Sequence, residues 1–98
     1  MTHEPLRVLI VDDNADSALM LQLILKSEGH QVHIEFDGIS ALSAAGEFLP
    51  DVSLLDLTLP GMNGVKVAEE IRRRPDHASC ALVAVTGLGV VTSLGQGK

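Results

Sequence analysis

Short apolar runs alternate along this chain with stretches of helical length, and few folds accommodate that alternation. Val8-Leu9-Ile10-Val11, Val52-Ser53-Leu54-Leu55 and Ala81-Leu82-Val83-Ala84-Val85 are short, mostly aliphatic and bounded by polar residues. Runs of this kind suit strands covered on both faces, as in a parallel sheet. Gln31 to Phe36 alternates instead, with Val32, Ile34 and Phe36 on one side and His33 and Glu35 on the other. That is the period of a half-exposed strand. Strand and helix in turn predict an α/β fold around a parallel sheet.

The intervening segments read as helices. Ala15 to Glu28 has Asn14 or Asp13 as a cap and Gly29 as a stop. Leu19, Met20, Leu21, Leu23, Ile24 and Leu25 make it apolar nearly all round. Such a helix needs neighbours on more than one side. Asp37-Gly38 turns the chain into a second helix, Ile39 to Phe48, and Pro50-Asp51 punctuates. A loop with Pro60, Gly61, Asn63 and Gly64 leads to a third helix, Val65 to Arg74, stopped by Pro75. Residues 87–98, GLGVVTSLGQGK, hold four Gly and show no helical or strand period. The expected organisation is one domain: an N-terminal tail at 1–5, a core at 6–86 and an atypical Gly-rich tail at 87–98.

Composition narrows the function. The 98 residues suit one small domain, which buries only about two-thirds of its unfolded surface. With no Trp, no Tyr and two Phe, its core must be aliphatic. Thirteen acidic residues against seven basic ones give a net charge of −6. This argues against direct nucleic-acid binding, which needs a basic patch. Arg72-Arg73-Arg74 is read as a solvated helix end. The single Cys80 opens an apolar run and is expected to be a buried structural thiol in a reducing compartment. His3, His30, His33 and His77 lack metal-ligand spacing and are expected at the surface. No signal-peptide h-region and no membrane span is apparent, so the cytoplasm is the expected location.

The chemistry collects where the apolar runs stop. Asp12 and Asp13 follow the first strand, Asp56 the third and Thr86 the fourth. In open parallel sheets, ligands bind beyond the carboxyl ends of the strands. Carboxylates gathered at one rim repel each other, and a hard divalent cation relieves that repulsion. Mg²⁺ suits a few carboxylates plus water, and a carboxylate can then act as the nucleophile toward phosphorus. Taken singly, each Asp could equally be a cap or a turn residue.

VLIVDDN, VSLLDLTLPGMNG and ALVAVTG, in this order and spacing, resemble the signature segments of response-regulator receiver domains. The resemblance covers residues 5–88. It implies a doubly wound, flavodoxin-like α/β fold with strand order 2-1-3-4 at its core, within the order 2-1-3-4-5 of the family's chemotaxis member. It implies Asp56 as phosphoacceptor, and Mg²⁺ held by Asp13, Asp56 and the main-chain carbonyl of Thr58, with help from Asp12. Thr86 would be the switch hydroxyl, and Gly61 and Gly64 would let the loop after Asp56 turn. The implied partner is a sensor histidine kinase or a phosphotransfer protein, and the domain would receive a phosphoryl group rather than act as a conventional enzyme.

The departure lies at the end of the chain. Family members continue with a fourth helix, a fifth strand ending in a phosphoryl-pairing Lys, and a fifth helix. Lys98 follows Thr86 too soon to be that Lys. The fifth strand and last helices are therefore expected to be missing. Ala81–Val85 would then be a bare sheet edge, open to homodimer pairing. Two alternatives stay open: a degenerate receiver acting only through protein–protein contacts, and an aspartyl-phosphate phosphatase. The latter class wants a second Asp where this chain has Thr58.

Overall fold

The computed structural model describes residues 4–56, 64–74, 80–86 and 89–93. The elements run β1 (Arg7–Val11), α1 (Ala15–Ser27), β2 (Gln31–Glu35), α2 (Gly38–Phe48), β3 (Val52–Asp56), α3 (Gly64–Arg73), β4 (Ala81–Thr86) and β5 (Gly89–Ser93). The strands form one sheet in the order β2-β1-β3-β4-β5. The first four are parallel, in the expected order 2-1-3-4.

The alternation along β1 explains the layering. Leu9 and Val11 enter one apolar cluster with Leu55, Leu82, Ala41, Ala45, Val67 and Ile71, beneath α2 and α3. Val8 and Ile10 enter the other, with Ala18, Leu21 and Leu25 of α1 and Val32 and Ile34 of β2. Both faces of β1 are buried, as its continuous apolar run predicts. Ala41, Ala44 and Ala45 are the inward residues of α2, and their small side chains permit close helix–sheet approach. Among the described residues, no helix is long and apolar enough to cross a membrane.

Local chemistry sets the element ends. The Asn14 side chain accepts from Ser17 N (3.0 Å) and caps α1. Asp37 does the same for α2 through Ser40 N (2.8 Å). These bonds satisfy amides that a first helical turn leaves without partners. Gly29, at φ 92°, turns the chain out of α1, where a side chain would be strained. Arg7 ties three elements at the opposite rim: its Nε donates to Phe48 O (2.7 Å), an Nη to Gln31 Oε1 (2.7 Å), and its guanidinium lies 4.3 Å from the Phe48 ring centroid.

Two expectations need correction. The Gly-rich tail is not without a strand: β5 pairs antiparallel with β4, from Val83↔Ser93 to Thr86↔Gly89. Val90, Val91 and Thr92 are β-branched, and the high Gly count hid that short strand signal. Two residues separate β4 from β5, the length of the commonest hairpin connection. The family's parallel fifth strand is thus replaced by an antiparallel one, and most of the Ala81–Val85 edge is covered. The register shifts between Ala84 and Val85. An irregularity of this kind also makes the new outer strand a poorer template for a further chain. The expected homodimer through a bare β4 edge therefore loses its basis.

The basic run is not simply a solvated helix end. Arg74 Nη1 donates to Leu42 O (2.8 Å), joining the end of α3 to α2, and Arg72 Nη2 donates to Cys80 O (3.0 Å). Cys80 is buried as expected, with Sγ 3.7 Å from Ser53 Oγ. Burial pushes its thiol above the usual range. Because the thiolate is the reactive form, native Cys80 is expected to resist a disulfide-exchange reagent that modifies the denaturant-unfolded chain within minutes. Prompt stoichiometric labelling of the native protein would contradict its placement.

Candidate functional site

Register brings the acidic residues together. Val11 of β1 lies opposite Leu55 of β3, so the residues that follow, Asp12 and Asp56, emerge side by side. Asp56 in turn pairs with Val85 of β4, which places the backbone of Thr86 one residue further at the same rim. The parallel direction of all four strands is what collects these ends on one side of the sheet.

Asp12 is held from both sides. Its amide donates to Glu35 O of β2 (3.1 Å), extending the ladder past the end of β1. Its Oδ1 accepts from Asn14 N (2.9 Å). Asn14 then caps α1, so a single Asp-x-Asn turn orients the carboxylate and starts the helix. Asp13 sits between them with an exposed side chain, whereas Asp56 is buried at the end of β3. One carboxylate oxygen from each of Asp12, Asp13 and Asp56 lies within 4.8 Å of the others.

Burial, above all, holds the Asp12 carboxyl above its usual range. The charge of Asp56, a hydrogen bond with it and the charge of Asp13 act in the same direction, while the Asn14 amide opposes them. The arrangement is thus short of positive charge. The three side chains supply only oxygen donors, the set that hard cations such as Mg²⁺ prefer over softer metals. The residues present fit a divalent cation.

The remaining assignments from the sequence are distributed unevenly. Thr58 and Gly61 lie outside the described residues, and Gly64 is the first residue of α3. His3 and His77 also lie outside them. His33 Nε2 is paired with Glu35 Oε2 (2.6 Å), and His30 Nδ1 accepts from Leu6 N (3.0 Å). Neither is a metal ligand in the acidic cluster. Sequence reading missed the second role of Asn14. The spacing Asp12-x-Asn14 was the available signal, since Asp side chains commonly bond an amide two residues on.

The sequence profile of the response regulator receiver domain matches residues 8–95. The DNA-binding response regulator MtrA of Mycobacterium tuberculosis is 48% identical over 66 residues, covering 67% of this chain. The chain spans only 29% of the length of that curated relative. Chemotaxis response regulator CheY4 of Vibrio cholerae superposes with a TM-score of 0.80 at 26% identity, over 84% of this chain and 68% of that one. The receiver domain of a sensor histidine kinase from Pseudomonas aeruginosa, solved with magnesium ion coordinated in the active site cleft, superposes with a TM-score of 0.78 at 29% identity. That match covers 85% of this chain and 68% of the other. The profile match over most of the chain, together with the sheet order and the acidic rim, makes this chain a member of the response regulator receiver domain family.

Proposed function

We propose that this chain is the phosphoacceptor of a two-component phosphorelay, taking a phosphoryl group on Asp56 from a sensor histidine kinase or a phosphotransfer protein. The observation that carries the reading is the meeting of Asp12, Asp13 and Asp56 within 4.8 Å at one rim. An Asp56 carboxylate oxygen attacks phosphorus, the donor's P–N bond breaks, and its electron pair returns to the imidazole nitrogen, which takes a proton. The product is an aspartyl-phosphate on Asp56. Asp12, Asp13, Asp56 and the main-chain carbonyl of Thr58 would hold Mg²⁺, whose positive charge offsets that of the carboxylates and the phosphoryl oxygens. The Asn14 amide fixes the direction of the Asp12 carboxylate. Thr86, at the end of β4, would offer its hydroxyl to the phosphoryl group. Such relays operate in the cytoplasm, which is the location proposed.

A second reading draws on the direction of β5. Because β5 is antiparallel to β4, its C-terminal end runs away from the acidic rim. β5 instead begins at the rim with Gly89, opposite Thr86, where the family's fifth strand ends in a phosphoryl-pairing Lys. This favours slow phosphorylation, or a domain that works by contact alone. A small acyl phosphate with Mg²⁺, followed by intact-mass measurement, separates the two. One added phosphoryl group in the unmutated chain and none in Asp56→Asn is expected. Labelling retained in Asp56→Asn would refute the assignment, and a folded but unlabelled parent chain would establish the contact-only reading.

A further inference from the structure

Strand β2 leaves one backbone edge unused. It is the outer strand of the order β2-β1-β3-β4-β5, as it is in the family order 2-1-3-4-5. The ladder with β1 fixes which groups face outward. Gln31 N donates to Leu6 O (2.9 Å), and Glu35 O accepts from Asp12 N (3.1 Å). Gln31, His33 and Glu35 therefore turn their backbone groups toward β1, and the residues between them turn theirs away. Val32 and Ile34 thus present N–H and C=O outward, and among the described residues no strand pairs with that side. Natural edges are commonly blunted by Pro, Lys or a bulge. Gln31–Glu35 has no Pro and no Lys, and its register with β1 is continuous. Its one acidic residue, Glu35, is already paired with His33 Nε2 at 2.6 Å.

The edge is its own complement, which identifies the partner. Val32 and Ile34 flank His33 symmetrically. Two β2 strands laid antiparallel, with His33 opposite His33, set each Val32 against Ile34 of the second copy. Residues opposed in this way exchange both backbone bonds, so one register satisfies every outward group of the pair. A slip of one residue loses those bonds and turns the side chains to the wrong face. The side chains agree with that register. Val32 and Ile34 lie on the α1 face beside Val8 and Ile10, and β-branched pairs across the seam continue that apolar cluster. On the other face Gln31 comes opposite Glu35 of the second copy. Arg7 already occupies Gln31 Oε1 (2.7 Å), which leaves the Gln31 amide N–H groups to donate to that carboxylate. His33 is held in advance by Glu35 and by Phe48, whose ring centroid lies 5.6 Å from its own. Side chains ordered beforehand lower the cost of association.

We propose that a second copy of this chain pairs β2 with β2, antiparallel about a two-fold axis at His33, and so joins two sheets into one. Such an isologous contact is self-complementary by construction. The backbone bonds of Val32 and Ile34 hold it, and the Gln31–Glu35 contacts close its two ends. A seam of one short strand from each copy is small beside a standard interface, so the association is weak and reversible. It lies on the sheet edge opposite β5, uses no carboxylate of the acidic rim and does not rest on the phosphorelay reading.

Register-specific cross-linking of the full chain, without phosphodonor, tests the contact. The two His33 positions form a non-hydrogen-bonded pair with Cα atoms about 4.5 Å apart, within the span of a disulfide. Under mild oxidation His33→Cys is expected to give a disulfide-linked dimer. Gln31→Cys and Glu35→Cys are each expected to stay monomeric alone and to cross-link when mixed. Cys80 is buried, and the parent chain under the same oxidation measures its background. Size exclusion with light scattering should show the parent chain shifting from monomer toward dimer as concentration rises. His33→Lys keeps a partner for Glu35 within its own chain but sets like charges face to face across the axis. It should weaken association several-fold with unchanged circular dichroism. A parent chain that stays monomeric throughout would overturn the proposal. So would association undiminished in His33→Lys, no cross-link in His33→Cys, or equal cross-linking of all three cysteine variants alone.

Discussion

Asp12→Asn is expected to raise the melting temperature of the metal-free protein and, at the same time, to remove most of its stabilisation by Mg²⁺. Burial, then the charge of Asp56, holds the native Asp12 carboxyl above its ordinary value of 3.8. The native state therefore keeps this proton to a higher pH than the unfolded chain does. The corresponding stability is fully present below the unfolded value and is lost as pH rises through the folded one. An amide keeps the acceptor oxygen for Asn14 N but carries no charge, so the loss at neutral pH disappears in the variant. The advantage of Asp12→Asn over the parent should grow as pH rises through the carboxylate range. Mg²⁺ reverses the ranking. A ligand that binds only the native state adds about 2.7 kcal/mol at a hundredfold excess over its Kd, and the variant has lost an anionic donor. Asp37 behaves oppositely: its bonds from Ser40 lower its pKa, so its contribution is present above 3.8 and lost as pH falls through the folded value. Thermal unfolding of the parent, Asp12→Asn and Asp13→Ala, with and without Mg²⁺ across pH, reads all of this. A parent chain indifferent to Mg²⁺, or an undiminished Mg²⁺ shift in Asp13→Ala, would dismiss the metal site.

Leu9→Ala is expected to cost about 2–5 kcal/mol, the range for truncating a fully buried leucine. Leu9 is 0% exposed on the central strand β1 and touches the cluster beneath α2 and α3. Small domains hold toward the lower end of about 5–15 kcal/mol in total. Most of the molecule's stability would go, and the acidic rim with it, because Asp12 follows directly on β1. Ile39→Ala is the matched control. Ile39 is 72% exposed on α2, so the truncation should stay within about 0.5 kcal/mol. Urea unfolding of the two variants checks the contrast. Equal losses would mean that the β1–α2 layer is not packed as described.

The carboxylate cluster was largely legible in the sequence. Each apolar run shows its own strand through composition, and each stops at a polar residue: Asp12, Asp56 and Thr86. Parallel strands with helical crossovers then bring those ends to one rim, because right-handed crossovers leave few other arrangements. The helix ends were equally local, since Asn14, Asp37 and Gly29 act within one turn of their own positions. Neither the hydrogen bond that orients Asp12 nor its titration was legible as such. The first uses Asn14 for two purposes, and the second depends on burial and on Asp56, far away in the chain.

Non-local partners decided the rest. β5 exists because β4 offers unpaired backbone groups beside it; five residues with a Gly and three β-branched side chains do not form a strand alone. Arg72 and Arg74 look like solvated charges until α3 docks and sets them against the Cys80 and Leu42 carbonyls. The apolar residues of α1 are indistinguishable in sequence, yet packing buries Ala18 and leaves Leu23 outside. Periodicity and chain-end chemistry are properties of neighbouring residues and can be read along the chain. Which backbone edge is filled, which cation finds a carbonyl and which side of a uniformly apolar helix meets the sheet depend on contacts that only the folded chain creates.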